Sequence, residues 1–215
     1  TGISGYCDVT GNVRIEFAGG GYTIYPGDID DFFINCRDRF PGRFYCFTMA
    51  NFASPVNKPL FVDDKRFVDE FIEILNNHVQ QGARGLKILK ELGLHYRDKN
   101  GDLIYCNDER LYPVWEEAGR LKIPVLIHQA DPSGFFEPVT PENEHFDSLI
   151  KYPSWSFADP KYPRKHELIR RRDDLVKSHP GTIFILPHFA NYAENIQHVS
   201  ELLDSNPNVY IDFSA

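Results

Sequence analysis

The chain has 215 residues, with 23 Lys and Arg against 31 Asp and Glu, for a formal charge of −8. That balance argues against a nucleic-acid surface, which needs clustered positive charge. The 42% apolar content is enough for a core, yet no apolar run approaches the roughly 18 residues needed to cross a bilayer.

In chain order, Asn12–Ala18 alternates apolar and polar residues and meets Gly19-Gly20-Gly21, which predicts a strand and a turn. Asp28–Phe40 opens with acids and is stopped by Pro41-Gly42, which predicts a helix. Arg43–Ala50 is aromatic and strand-like, and a Pro-containing loop follows at Ser54–Pro59. From Asp64 to Gln81 the apolar residues Phe67, Val68, Phe71, Ile72, Leu75 and Val79 share one helical face, ended by Gly82. Gly85–Leu89, Ile123–His128, Thr182–His188 and Asn208–Phe213 read as further strands. Asp108–Leu121, Lys165–Ser178 and Ala193–Asp204 read as helices. Between Gln129 and Pro163 lies a long aromatic stretch of the kind that forms a lid or binding loop.

Six strands alternating with five helices imply βαβ units and a parallel sheet. The strands are apolar throughout, as strands buried on both faces are. Neither GxGxxG nor GxxxxGK[ST] is present, which removes the main support for an open nucleotide-binding sheet. The expected fold is an incomplete (β/α)8 barrel with about six of eight strands, forming one domain over 1–215 with an insertion at 129–163. A full barrel takes about 250 residues. The start lacks Met and a leader, and the last residues read as a strand, so both ends are expected to be cut from a longer chain. The dispersed Cys7, Cys36, Cys46 and Cys106 read as free thiols, which with the acidic charge favours the cytoplasm. The expected partner is a small-molecule substrate, with self-association as an open option.

Chemistry in such folds gathers at the carboxyl ends of the strands. The polar residues found there are Asn51, Lys87, His128, His188 and Asp212. Two successive strands ending in histidine suit metal ligation or proton transfer. Lys87, on a buried strand, needs a partner or an anion, and Asp212 could be a ligand or a partner of a histidine. Lys90 reads as part of the following loop. In the insertion, Asp131, Phe136, Asn143, Glu144 and Trp155 are the candidates for lining a substrate pocket. His78, His95, His145, His166, His179 and His198 read as structural or exposed, with His145 nearest to the candidate loop.

The run Gly85–Leu94, then Pro124-Val125-Leu126-Ile127-His128-Gln129-Ala130-Asp131-Pro132, Phe135-Phe136, Trp155-Ser156-Phe157, Pro187-His188 and Asn208–Ala215 resembles the amidohydrolase-related (amidohydrolase 2) branch of the amidohydrolase superfamily. The resemblance implies a metal-dependent barrel that hydrolyses amides, lactones or esters, or decarboxylates aromatic or unsaturated acids, around zinc or manganese. It makes His128 a metal ligand ending the fifth strand and His188 the residue that orients water or moves a proton. Lys87 falls where two-metal relatives carry a carboxylated lysine. The family's His-x-His of strand one and its strand-eight aspartate have no counterpart here, and Asp212 ends the seventh strand in this count. A degenerate barrel serving as a binding module therefore stands beside the enzyme reading.

Overall fold

The computed structural model describes residues 2–18, 20–52, 61 and 63–214; the loop expected at 54–59 lies outside them. Its main sheet has six strands: β1 (Tyr6–Asp8), β4 (Phe44–Thr48), β5 (Gly85–Ile88), β6 (Val125–Ile127), β7 (Phe184–Leu186) and β8 (Val209–Ile211). A separate antiparallel hairpin is built from β2 (Val13–Ala18) and β3 (Gly21–Pro26). All pairings in the main sheet are parallel, and spatial order follows chain order throughout. A doubly wound sheet reverses its order at a switch point. This one never does, so it is the wall of a half-barrel.

The six-strand expectation holds with one member exchanged. The alternating segment Asn12–Ala18 is not a wall strand. Among the described residues it pairs only with β3, and residues such as Arg14, Glu16 and Phe17 are exposed. Alternation marks a half-buried strand and does not say which sheet receives it. The wall position is held by β1, whose three residues are too few to give a periodic signal.

Helix α2 (Asp64–Gln81) matches its expected span. Asp63 caps it by accepting the Arg66 amide at 3.1 Å, and Gly82 ends it at φ +122°, where a side chain would be strained. Helices α3 (Tyr112–Arg120) and α5 (Lys165–Ser178) also fall where expected. The Asp28–Phe40 helix is shorter: α1 (Ile29–Phe32) passes directly into a π-helical turn over Phe33–Arg37. The insertion carries α4 (Phe146–Lys151), and α6 (Ile196–Ser205) begins three residues later than expected, capped by Asn195.

Strand alternation divides the wall into two faces. Leu86 and Ile88, Val125 and Ile127, Phe184 and Leu186, and Val209 join Phe71, Leu75, Trp115, Leu175 and Val199 in the core between sheet and helices. The opposite face carries Lys87, Leu126, Ile185 and Tyr210, each in register with the next. Along that row exposure climbs from 4% at Lys87 and 8% at Leu126 to 56% at Tyr210, so the inner face is covered at β5 and open at β8. Gly85 at the start of β5 is required by packing, because a Cβ there would lie 2.4 Å from the Phe47 ring.

The hairpin folds over the carboxyl end of this wall. A two-stranded hairpin is marginal alone; this one buries Ile24 in the main core and is held by two polar anchors as well. The Tyr22 hydroxyl donates to the buried Glu91 carboxylate, and Ser154 Oγ donates to the Gly20 carbonyl at 2.9 Å.

Candidate functional site

Residues just beyond β6 and β7 converge at the mouth of the half-barrel. His128 follows β6, Asp131 lies three residues on, and His188 lies two residues beyond β7. One ligand atom from each of the three lies within 4.8 Å of the others, and the two imidazole centroids are 4.9 Å apart. Asp131, expected as a lining residue of the loop, is thus part of the histidine cluster. Its position only three residues past His128 was the available signal.

The chain reaches this geometry through an uncommon backbone. His188, Phe189, Ala190 and Asn191 all have φ between +53° and +56°, a left-handed turn that L-residues avoid at about 1–2 kcal/mol each. The surroundings offset this. The His188 amide donates to Asp212 Oδ1 at 2.9 Å, and the Asn191 amide to the Pro187 carbonyl at 2.8 Å. The wholly buried Arg172 donates to the Ala190 carbonyl and pairs with Asp173, which also meets His198 at 2.7 Å. The Gln129 amide donates to Asn191 Oδ1 at 3.0 Å, tying the His128 loop to the turn.

Hydrogen bonds fix which ring nitrogen is free. His128 Nε2 faces the Asp131 carbonyl at 3.1 Å, and His188 Nδ1 faces the Ser214 carbonyl at 2.9 Å. A carbonyl can only accept, so these nitrogens carry the protons. His128 Nδ1 and His188 Nε2 keep their lone pairs, the arrangement by which metal-binding histidines are oriented. Burial, together with the charges of Lys87 and Lys90, pushes the His128 pKa down to about 3, so the ring is neutral and ready to ligate. Burial raises the Asp131 pKa above its ordinary value. Burial acts the same way on Asp212, but hydrogen bonds from Ser214 and the His188 amide outweigh it and hold this carboxylate below its ordinary pKa.

Lys87 is 4% exposed on the inner face of β5 and has no hydrogen bond or ion pair among the described residues; burial brings its pKa to about 8 against the pull of Glu91 and Asp212. The buried Glu91, absent from the sequence expectations, has its pKa raised by burial and leaves Oε2 without a hydrogen bond.

Two cavities flank His128. One of about 670 Å³ runs toward the left-handed turn and is lined by Asp131, His145, His188, Phe189 and Phe213. His145, read from sequence as structural, therefore borders the cluster. The other, of about 200 Å³, lies under the hairpin against Trp155. The remaining loop candidates sit apart from both. Phe136 is 7% exposed within an aromatic core with Phe157, and Asn143 and Glu144 line a separate groove, where Asn143 holds the Gly134 and Pro138 carbonyls. His78 bonds Thr48, and His179 bonds the Leu175 carbonyl.

Two imidazoles and a carboxylate within reach of one another are donors suited to zinc or manganese. The model of the amidohydrolase family matches residues 46–215. The chain belongs to that family. A search of curated proteins found no match. Among solved structures, this amidohydrolase chain is similar to 2,6-dihydroxybenzoate decarboxylase from Rhizobium, at 16% identity and a TM-score of 0.53, covering 86% of this chain and 57% of that one. A dihydroxybenzoic acid decarboxylase from a Polaromonas species, crystallised with bound manganese, gives 15% identity, a TM-score of 0.50 and coverage of 85% and 54%. At such identities the likeness shows the fold, an incomplete barrel of the superfamily, and the chain spans about half the length of these structures. No helix among the described residues is long and apolar enough to cross a membrane.

Proposed function

We propose that this amidohydrolase chain supplies part of a divalent-metal site that acts on a carbonyl or carboxyl carbon of a small substrate, most simply by hydrolysis of an amide, lactone or ester. The observation that carries this reading is the convergence of His128, Asp131 and His188 donor atoms within 4.8 Å at the mouth of the wall. His128 Nδ1 and the Asp131 carboxylate would hold the ion. A bound zinc or manganese ion lowers the pKa of water and polarises a carbonyl.

The chain's own groups do the rest. His188, its Nδ1 occupied by Ser214, exchanges a proton at Nε2. Asp212 fixes the backbone that presents His188 and so sets the direction of that transfer. Lys87 puts an unpaired cation on the inner face, where it favours an anionic group. A second reading, loss of CO2 from a flat unsaturated acid, uses the same groups and is favoured by the aromatic wall beside His128 formed by Phe135 and Trp155.

Elemental mass spectrometry after incubation with zinc or manganese and desalting tests the site. About one ion per chain is expected, with at least a tenfold loss of affinity in His128→Ala and Asp131→Asn. A fully loaded His128→Ala protein would sink the ligand assignment. Absence of metal from the wild-type chain would favour the non-catalytic binding module.

A further inference from the structure

Lys90 stands two residues beyond the end of β5, on the opposite side of His128 from the left-handed turn. Its ammonium lies 4.8 Å from the Phe135 ring centroid, 5.6 Å from Phe157 and 6.0 Å from Trp155. Among the described residues it makes no hydrogen bond or ion pair. Glu91 and Asp131 attract it without bonding it: Glu91 accepts from Tyr22 at one oxygen and leaves the other unbonded, and Asp131 belongs to the histidine cluster.

Ring faces attract a cation, but they leave the three N–H donors of an ammonium without acceptors. Lys90 is only partly exposed, and an ammonium so placed is costly unless an acceptor arrives. The space for one is present. Lys90, His128, Phe17, Tyr22, Phe135 and Trp155 border the cavity of about 200 Å³ beneath the hairpin. Its volume is below the roughly 300–1,000 Å³ of drug-sized sites, so it suits a single flat ring or an equivalent chain. Its lining is largely aromatic, with Phe17 and Tyr22 from the hairpin, Phe17 meeting Trp155 edge-on, and Phe135 and Trp155 from the insertion; among its described lining residues the one ammonium is Lys90.

We propose that Lys90 is the anion-binding residue of a substrate subsite formed between the hairpin and the barrel mouth, which takes a small carboxylate with a flat apolar body and directs its far end toward His128. This rests on the reading of His128, Asp131 and His188 as the reaction centre. The Lys90 ammonium donates to the carboxylate while the aromatic walls cover the body. The hairpin is then part of the binding site, because it contributes Ile15, Phe17 and Tyr22 to the lining of the cavity.

The test compares benzoate with benzamide, which share a ring and differ in charge. Binding is followed by titration calorimetry and by the fluorescence of Trp155, the one tryptophan at the cavity, since Trp115 is fully buried in the core. The chain is examined with and without metal, the latter after chelation. Benzoate should bind at least about tenfold tighter than benzamide, the scale of a charge-assisted hydrogen bond. Lys90→Met, which keeps the stem, should abolish that preference while changing benzamide affinity less than about twofold, and Lys90→Arg should keep it. Circular dichroism checks that both variants fold.

A preference unchanged in Lys90→Met, an equal loss for both probes, or no binding of either at about 10 mM, weaker than about −2.7 kcal/mol, overturns the proposal. So does a benzoate preference that appears only with metal and ignores Lys90, because the carboxylate then sits on the ion. A Lys90-dependent preference that persists after chelation supports the subsite whether or not the His128→Ala protein retains metal, so the two readings fail separately.

Discussion

Burial moves the titration of single side chains away from their ordinary values. His95 shows the effect away from the proposed ligands: burial, then Lys90, Arg97 and Lys161, push its pKa down to about 4, and its ring lies edge-on against Phe157 and Tyr162. Between its ordinary value of 6.5 and about 4, the unfolded chain takes up a proton that the folded chain refuses. Stability should therefore fall as pH is lowered through that window and level off below it. His95→Gln should remove about 2 kcal/mol of this acid-induced loss, the partial exposure of the ring screening the rest. Urea unfolding at pH 7, 5.5 and 4 checks this; equal pH slopes for the two proteins would refute it.

Among the elements, the left-handed turn after β7 depends most on its neighbours. Arg172 is wholly buried, bonded to the Ala190 carbonyl and paired with Asp173. Arg172→Met should cost about 3–5 kcal/mol, because it leaves Asp173 buried with one fewer cation and releases the turn. Adding Asp173→Leu should recover part of that loss, and urea midpoints for the single and double variants measure both. The sequence displays this element poorly. Pro187-His188 marks the end of an apolar run, so the position of the histidine was legible, but a run of left-handed residues without glycine has no local signature. Its stability comes from Arg172, Asp212 and Gln129, all distant in sequence. The strand-end reading placed His128, His188, Lys87 and Asp212 at or just past the ends of wall strands, where the structure also has them, because burial forces polar residues to the ends of buried strands. It could not separate Asp131 from Asn143 within one loop, nor assign Lys90 to a cavity, because those outcomes depend on how the insertion and the hairpin fold back. The same limit explains the misplaced wall strand at 12–18.

On the scale of the whole molecule, the wall has two free edges. Among the described residues, β1 and β8 each pair on one side only, with Tyr6 46% and Tyr210 56% exposed. Unpaired backbone beside exposed aromatic rings favours association. Sedimentation velocity should show concentration-dependent self-association of this chain, reduced by Tyr210→Lys; a monomer at all concentrations would count against a sticky β8 edge. The sequential strand order has the opposite character at its centre. Each βα unit packs on the next, so most wall contacts join segments about 40 residues apart, as in the pairing of Leu86 with Val125. The hairpin anchor between Gly20 and Ser154 closes 134 residues. Loop-closure entropy makes that contact about 1 kcal/mol harder to form than a neighbouring-strand pairing. The wall can therefore condense from short-range pairings before the hairpin docks, and the hairpin can detach while the wall stays folded. The last surface to assemble is then the roof over Lys90, and a molecule could reach that cavity by waiting for a local opening that leaves the six strands intact.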